Sequence, residues 1–232
     1  MAVATLVAGQ ALGEQMLLGP GGDSLGSLGS TSLDAAVRAW AKEQLAAQRS
    51  ERRTFDAEAG PVEVFLEVHP PPPQLVLVGA VHTAIPLVSF ARTLGYRTYV
   101  VDPRGAFATP ERFAHADRLF REWPDEAFAQ VRLNESTAVA VLSHDLKLDL
   151  PALRLALASP ASYIGALGSK KTHGKRVAAL KEEGFTDAEL ARIHAPIGLP
   201  LGGRSPEEIA LSVIAEIVGA RYGQRGRSTP PP

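Results

Sequence analysis

The chain has 232 residues, of which 45% are hydrophobic and 21% charged, with a formal net charge of −1 and no cysteine. That length suits one large domain or a main domain with a smaller companion, and the composition suits a packed core. Near-neutral charge gives no ground for a nucleic-acid or membrane partner. The lack of cysteine excludes disulfides, thiolate metal sites, iron–sulfur clusters and cysteine nucleophiles. Met1 to Val7 lack the basic flank of a signal peptide, and no apolar run is long enough to cross a bilayer. A soluble, cytoplasmic protein is the expectation.

Ala4 to Val7 and Glu14 to Leu18 read as two strands, followed by the turn at Gly19-Pro20-Gly21-Gly22-Asp23 and a glycine/serine loop from Ser24 to Ser32. Leu33, Val37, Trp40, Ala41 and Leu45 recur at helical spacing, which predicts an amphipathic helix over Leu33 to Gln48. Arg52 to Ala57 and Val62 to Val68 read as strands, the latter by its alternation. His69-Pro70-Pro71-Pro72-Pro73-Gln74 then stops the pattern. Proline cannot donate to a ladder and favours an extended backbone, so this run reads as a stiff spacer rather than a recognition motif.

Beyond it strands and helices alternate. Strands are predicted at Leu75 to Val81, Tyr96 to Val101, Arg118 to Phe120, Thr137 to Ser143 and Ser162 to Leu167. Helices are predicted at Thr83 to Leu94, Pro151 to Ala158, Lys170 to Glu183, Thr186 to Arg192 and Pro206 to Tyr222. The last is opened by a Ser205/Glu208 capping box with Pro206 in its first position. This alternation implies a parallel sheet covered on both faces.

Ligands of such sheets bind beyond the carboxyl ends of the strands, where the strand order reverses. The residues leaving those ends are Gly79-Ala80-Val81-His82, Asp102-Pro103-Arg104, Ser143-His144-Asp145 and Gly168-Ser169-Lys170-Lys171. Each exit carries glycine, histidine, an acid or a base. Tyr163 to His173 is the most pointed stretch: a buried strand through Gly165, a turn at Gly168, and a basic helix that Ser169 can cap. Turn amides, Lys170, Lys171 and the helix dipole would draw an anion such as phosphate there, though an ordinary strand-to-helix turn reads the same. Asp102 stands about 20 residues after Gly79, where a dinucleotide fold places its ribose-binding acid. It could equally end a strand. Val81 occupies a position where the dinucleotide fingerprint wants glycine. His82, His144, His173 and His194 lie on separate loops with no metal-ligand spacing, so no metal site is expected. Adjacent Ser143, His144 and Asp145 cannot form a catalytic triad.

These residues resemble the XdhC/CoxI family of xanthine dehydrogenase accessory proteins. The resemblance is most specific over Tyr163 to Thr172. It extends to Ile193-His194-Ala195-Pro196-Ile197-Gly198-Leu199, Arg204 to Ala210, Ala215-Glu216-Ile217, Val100 to Arg104 and Phe107 to Phe113. It implies an α/β fold in which a Rossmann-like parallel sheet flanked by helices follows a smaller N-terminal α+β domain. The division is then an XdhC/CoxI-type domain at 1–69, a linker at 70–74, a Rossmann-like domain at 75–222 and a disordered tail at 223–232.

The resemblance further implies a maturation chaperone without turnover of its own. Such a protein binds the molybdenum cofactor (molybdopterin) as cargo and delivers it to a xanthine dehydrogenase-like molybdenum hydroxylase, as a homodimer and with a cysteine desulfurase as a further partner. Gly168 to Lys171 would hold the cargo's phosphate, while Asp102, Arg104, His82 and His194 would meet the ring system or nucleotide. The chain departs from the family at Ser32 and Asp34, which stand where cysteine and glutamate are usual, and at Val81, where glycine is. A serine hydroxyl is no soft ligand for molybdenum. The chain also starts later than family members usually do. The alternatives are an NAD(P)-dependent oxidoreductase on the same sheet and a cofactor-free adaptor.

Overall fold

The computed structural model describes residues 1–58 and 60–223. Apart from Gly223, the tail expected at 223–232 lies outside the described residues. Two compact units are present, Met1–Pro71 and Pro72 onward.

The first unit is an antiparallel sheet with one long helix. Its strands are β1 (Ala2–Ala8), β2 (Gln15–Leu18), β3 (Ser24–Gly26), β4 (Glu51–Ala57) and β5 (Gly60–Val68), in the order β3-β2-β1-β5-β4. Burial alternates along β1 and β5, so Ala2, Ala4, Leu6, Val62, Val64, Leu66 and Val68 share one face. Helix α1 (Thr31–Ala47) covers that face with Leu33, Val37, Trp40 and Ala41. The glycine/serine stretch expected as loop holds two surprises. Ser24–Gly26 pairs with β2, and α1 begins two residues before Leu33 because Ser30 caps it, its hydroxyl accepting from Leu33 N at 3.3 Å.

The second unit is a six-stranded parallel sheet in the order β11-β10-β9-β6-β7-β8. It comprises β6 (Gln74–Val78), β7 (Arg97–Val101), β8 (Arg118–Phe120), β9 (Thr137–Val141), β10 (Tyr163–Ala166) and β11 (Ile193–His194). Gln74, expected in the linker, already pairs with Arg97 and Thr137. Strand β6 shows why apolar runs suit such a sheet. Leu75 and Leu77 enter one core with α2 (Ala84–Thr93) and α8 (Pro206–Arg221). Val76 and Val78 enter the opposite core with α5 (Leu146–Leu157) and α6 (Lys170–Glu182). Short helices α3 (Pro110–Phe113), α4 (Pro124–Gln130) and α7 (Asp187–Leu190) complete the layers. The α/β arrangement is the expected one: a Rossmann-like parallel sheet plus a smaller N-terminal α+β region.

The helix expected to begin at Pro151 begins earlier, at Leu146. Proline suits a first turn, yet Asp145 caps the helix by accepting from Lys147 N at 3.0 Å, and Leu148 and Asp149 are buried upstream of Pro151. Burying Leu148 contributes roughly 1.5–3 kcal/mol, which offsets much of the cost of the amide that Pro151 lacks. The capping box of Ser205 and Glu208 and the Ser169 cap of α6 form as expected.

Candidate functional site

After β6 the chain adds β7 and β8 on one side, then crosses to place β9, β10 and β11 on the other. Loops leaving β6 and β9 therefore diverge, and a crevice opens beyond their carboxyl ends. Gly79 makes the divergence possible. Its φ is +106°, and a Cβ there would stand 2.8 Å from Ser143 N and 3.0 Å from Ser143 Cβ. No larger residue fits between the two exits.

The crevice holds a cavity of about 570 Å³ lined by Val81 after β6, Arg104 and Phe107 after β7, and His144, Asp145, Leu146 and Lys147 at the start of α5. Its size is that of a small-ligand site. Asp102 lies behind the wall, fully buried. Its Oδ2 accepts from Ala80 N (2.8 Å) and Arg104 Nη2 (2.7 Å), and its Oδ1 from Arg104 N (3.0 Å) and Nε (2.8 Å). Burial pushes the carboxyl up most strongly. The hydrogen bonds from Arg104 and the Ala80 amide outweigh it, and the group stays below the usual carboxylate range. Four donors fill its acceptor capacity, so a ribose hydroxyl would have to displace one of them.

Arg104 is the side chain this arrangement presents. Its bidentate grip on Asp102 raises its affinity for its proton further. Its guanidinium lies 4.5 Å from the centre of the Phe107 ring. With Nε and Nη2 committed, Nη1 has no hydrogen-bond partner among the described residues. His144 and Lys147 are exposed on the same wall. His82 is exposed in the turn before α2, outside the cavity lining, and its carbonyl accepts from Ile85 N at 3.2 Å.

The Gly165–His173 stretch sits one strand further over, outside that lining. Gly165 is a packing residue, since a Cβ there would reach 2.4 Å from the end of Ile197. Gly168 has φ +143°, and the carbonyl of its neighbour Leu167 accepts from Arg176 Nη1 at 2.9 Å. Ser169 caps α6 by accepting from Thr172 N at 3.2 Å, with Lys170 and Lys171 exposed beside it.

Beneath that turn, fully buried Arg176 pairs with fully buried Asp149 through Nε (2.9 Å) and Nη2, and Nη2 also donates to Ser143 O at 3.1 Å. Burial pushes Asp149 up against the pull of the Ser143 hydroxyl and Arg176. One guanidinium thus ties together the exits of β9 and β10 and the first turns of α5. Burial, then the neighbouring Arg176 charge, pushes the His173 imidazole down.

His194 is likewise engaged within the fold. Its Nδ1 lies 3.3 Å from Glu216 Oε1 and its ring 4.6 Å from that of Tyr163. Glu216 Oε2 accepts from the Tyr163 hydroxyl (2.5 Å) and Gly198 N (2.8 Å). Burial raises Glu216 most, yet the bonds from His194, Tyr163 and Gly198 hold it below its usual range; burial and that carboxylate push Tyr163 far up.

In the first unit, Asp34 is buried and accepts from Leu28 N at 2.7 Å, while the Ser32 hydroxyl lies 3.2 Å from that of Ser30. Asp34 therefore closes its own loop. Among the described residues no three His, Asp or Glu gather closely enough to hold a metal ion, and no helix is long and apolar enough to cross a membrane.

The XdhC Rossmann domain model matches residues 75–217, and that of the XdhC and CoxI family matches residues 1–56. The chain belongs to the XdhC/CoxI family. Among curated relatives, a protein of Bacillus subtilis (strain 168) named as a probable xanthine dehydrogenase component is 31% identical over 158 residues, 68% of this chain and 46% of that protein. The molybdenum cofactor insertion chaperone PaoD of Escherichia coli (strain K12) is 40% identical over 114 residues, 49% of this chain and 35% of that protein. The matched part is thus less than half the length of those relatives. A crystal structure of a xanthine dehydrogenase from Bacillus halodurans superposes with a TM-score of 0.59 at 19% identity, covering 99% of this chain and 94% of that one, which establishes a shared fold.

The family motifs differ in what they do in this XdhC/CoxI member. Arg104 lines a cavity wall with Asp102 buried behind it, whereas His194 and Glu216 staple each other. Lys147, Phe107, Asp149 and Arg176 do not stand out in the sequence as site residues. Asp145 spaced two before Lys147 is the one sequence signal that could have extended α5 and brought Lys147 to the crevice.

Proposed function

We propose that this chain is a molybdenum-cofactor accessory protein that holds the cofactor as cargo and hands it to a xanthine dehydrogenase-type molybdenum hydroxylase. The observation that carries the reading is the cavity at the switch point of an XdhC-type Rossmann domain, walled by Arg104, Phe107, His144 and Lys147. A pterin that bears a phosphate needs donors, a flat apolar contact and a concave wall, and this wall has each. PaoD, a relative at 40% identity, carries the name of a cofactor insertion chaperone. In this reading the chain acts in the cytoplasm as a homodimer, takes sulfur chemistry from a cysteine desulfurase, and turns over no substrate itself. Nicotinamide binding is disfavoured because Asp102 has its acceptors filled and Val81 stands in the fingerprint.

The test is to purify the protein, release bound pterin with acid and iodine, and measure fluorescence. A stoichiometric pterin that transfers to a cofactor-free hydroxylase is the expected result. Absence of pterin together with protection from heating by NAD(P) would replace this reading with the oxidoreductase one.

A further inference from the structure

We infer that the cavity between the exits of β6, β7 and β9 is the seat of a phosphate ester, gripped by Arg104 and flanked by Lys147 and His144, and that Asp102 serves to aim Arg104 rather than to touch the ligand. This relocates the anion site from the Gly168–Lys171 turn after β10 to the neighbouring exits of β9, β6 and β7 in the same sheet.

The first reason is preorganisation. An arginine side chain ordinarily gives up much rotamer freedom when it grips a ligand. Here two hydrogen bonds from its fork to Asp102 and the Phe107 ring already fix the plane of the guanidinium. The cost of ordering it falls on folding and not on binding. The orientation leaves Nη1 unpaired on a side chain that is 35% exposed and lines the cavity.

The second reason is the donor inventory. Arg104 Nη1 and the Lys147 ammonium are strong donors, and His144 is exposed beside them. Asp145 is the acid in the lining, and its Oδ1 is turned to Lys147 N as a helix cap. Helices α2 and α5 both start at this edge, so their positive ends add to the attraction for a group carrying more than one negative charge. A phosphate satisfies convergent charged donors better than a single carboxylate. By contrast, Lys170 and Lys171 are exposed at one helix end, and the buried guanidinium beneath them is spent on Asp149 and two carbonyls.

The inference deepens the cargo reading, and rests on it only for the identity of the ester: a phosphorylated pterin, with a nicotinamide dinucleotide phosphate as the competing source. Isothermal titration of the full chain with inorganic pyrophosphate tests the seat without any pterin. Binding is expected, weakened by more than about tenfold in Arg104→Gln and by several-fold in Lys147→Glu, and changed by less than about twofold in the double variant Lys170→Glu/Lys171→Glu. Lys147 is exposed, so its variant keeps the test informative if Arg104→Gln misfolds.

No pyrophosphate binding to the unmodified chain, binding indifferent to Lys147→Glu, or binding lost in the Lys170/Lys171 variant would each overturn the seat. Competition then separates the sources, because displacement of pyrophosphate by molybdopterin extract, and not by NADP, supports the pterin. Pyrophosphate binding in a chain that yields no pterin leaves the seat standing and defeats the cargo reading. Pterin bound without competition from pyrophosphate does the reverse.

Discussion

The parallel sheet of this protein ends in two neighbouring clusters of polar residues that spend their hydrogen bonds in opposite ways. At the exits of β6, β7 and β9, Asp102 is buried so that Arg104 can be held out with a donor to spare. At β10 and β11, Arg176, Asp149, His194, Glu216 and Tyr163 turn toward one another and toward backbone groups. Both clusters are rich in charge. One leaves a cation exposed at a crevice and the other holds loops in place. Charge at a strand exit is therefore a poor guide to a site until the partners of each group are known.

The sharpest way to break this contrast is Arg176→Ala. It removes the counter-charge of buried Asp149 and leaves the carbonyls of Ser143 and Leu167 without their donor, so a loss of about 3–5 kcal/mol in urea unfolding is expected. The double variant Arg176→Met/Asp149→Leu should lose less than Arg176→Ala alone. Gly79→Ala comes next. Its φ of +106° and the backbone of Ser143 at 2.8 Å should cost about 1–3 kcal/mol and distort the cavity as well. Glu216→Gln, which keeps shape and removes charge, is expected to lower stability by about 1–3 kcal/mol while leaving pyrophosphate affinity intact. Faster amide exchange at Gly198 should accompany it.

A further prediction concerns acid. Asp102 titrates below its unfolded value of 3.8, so its contribution to stability is present in full above that value and is lost as pH falls through the lower, folded one. Asp102→Asn should flatten the acid limb of a stability–pH profile measured below about pH 4. The smallest effect belongs to Lys170→Glu/Lys171→Glu, expected to leave stability within about 0.5 kcal/mol. A large loss there would erase the distinction between the two clusters.

The strands, their order of appearance and the exits that carry chemistry are legible because apolar runs, prolines and glycines mark them locally. The parallel sheet follows from alternation alone. What escapes is pairing at a distance. Arg176 looks, in sequence, like one more cation on a basic helix, and only packing against α5 sends it inward to Asp149. Lys147 is hidden because Pro151 reads as a helix start, and the burial of Leu148 that overrides it is a tertiary effect. Asp102 stands out as a polar residue at an exit, but its role turns on the Ala80 amide, twenty-two residues away in sequence. His194 misleads for the same reason, since its partner Glu216 lies twenty-two residues further on, in α8.

Asp102 also has a mechanical meaning. One carboxylate restrains both the guanidinium of Arg104 and the Ala80 amide of the β6–α2 turn. An anion seated on Nη1 would share one guanidinium with the clasp that holds the turn, so capture and the closure of that turn are linked. Under the proposed carrier role, a load bound there would be felt at the start of α2, and its release would be felt there too.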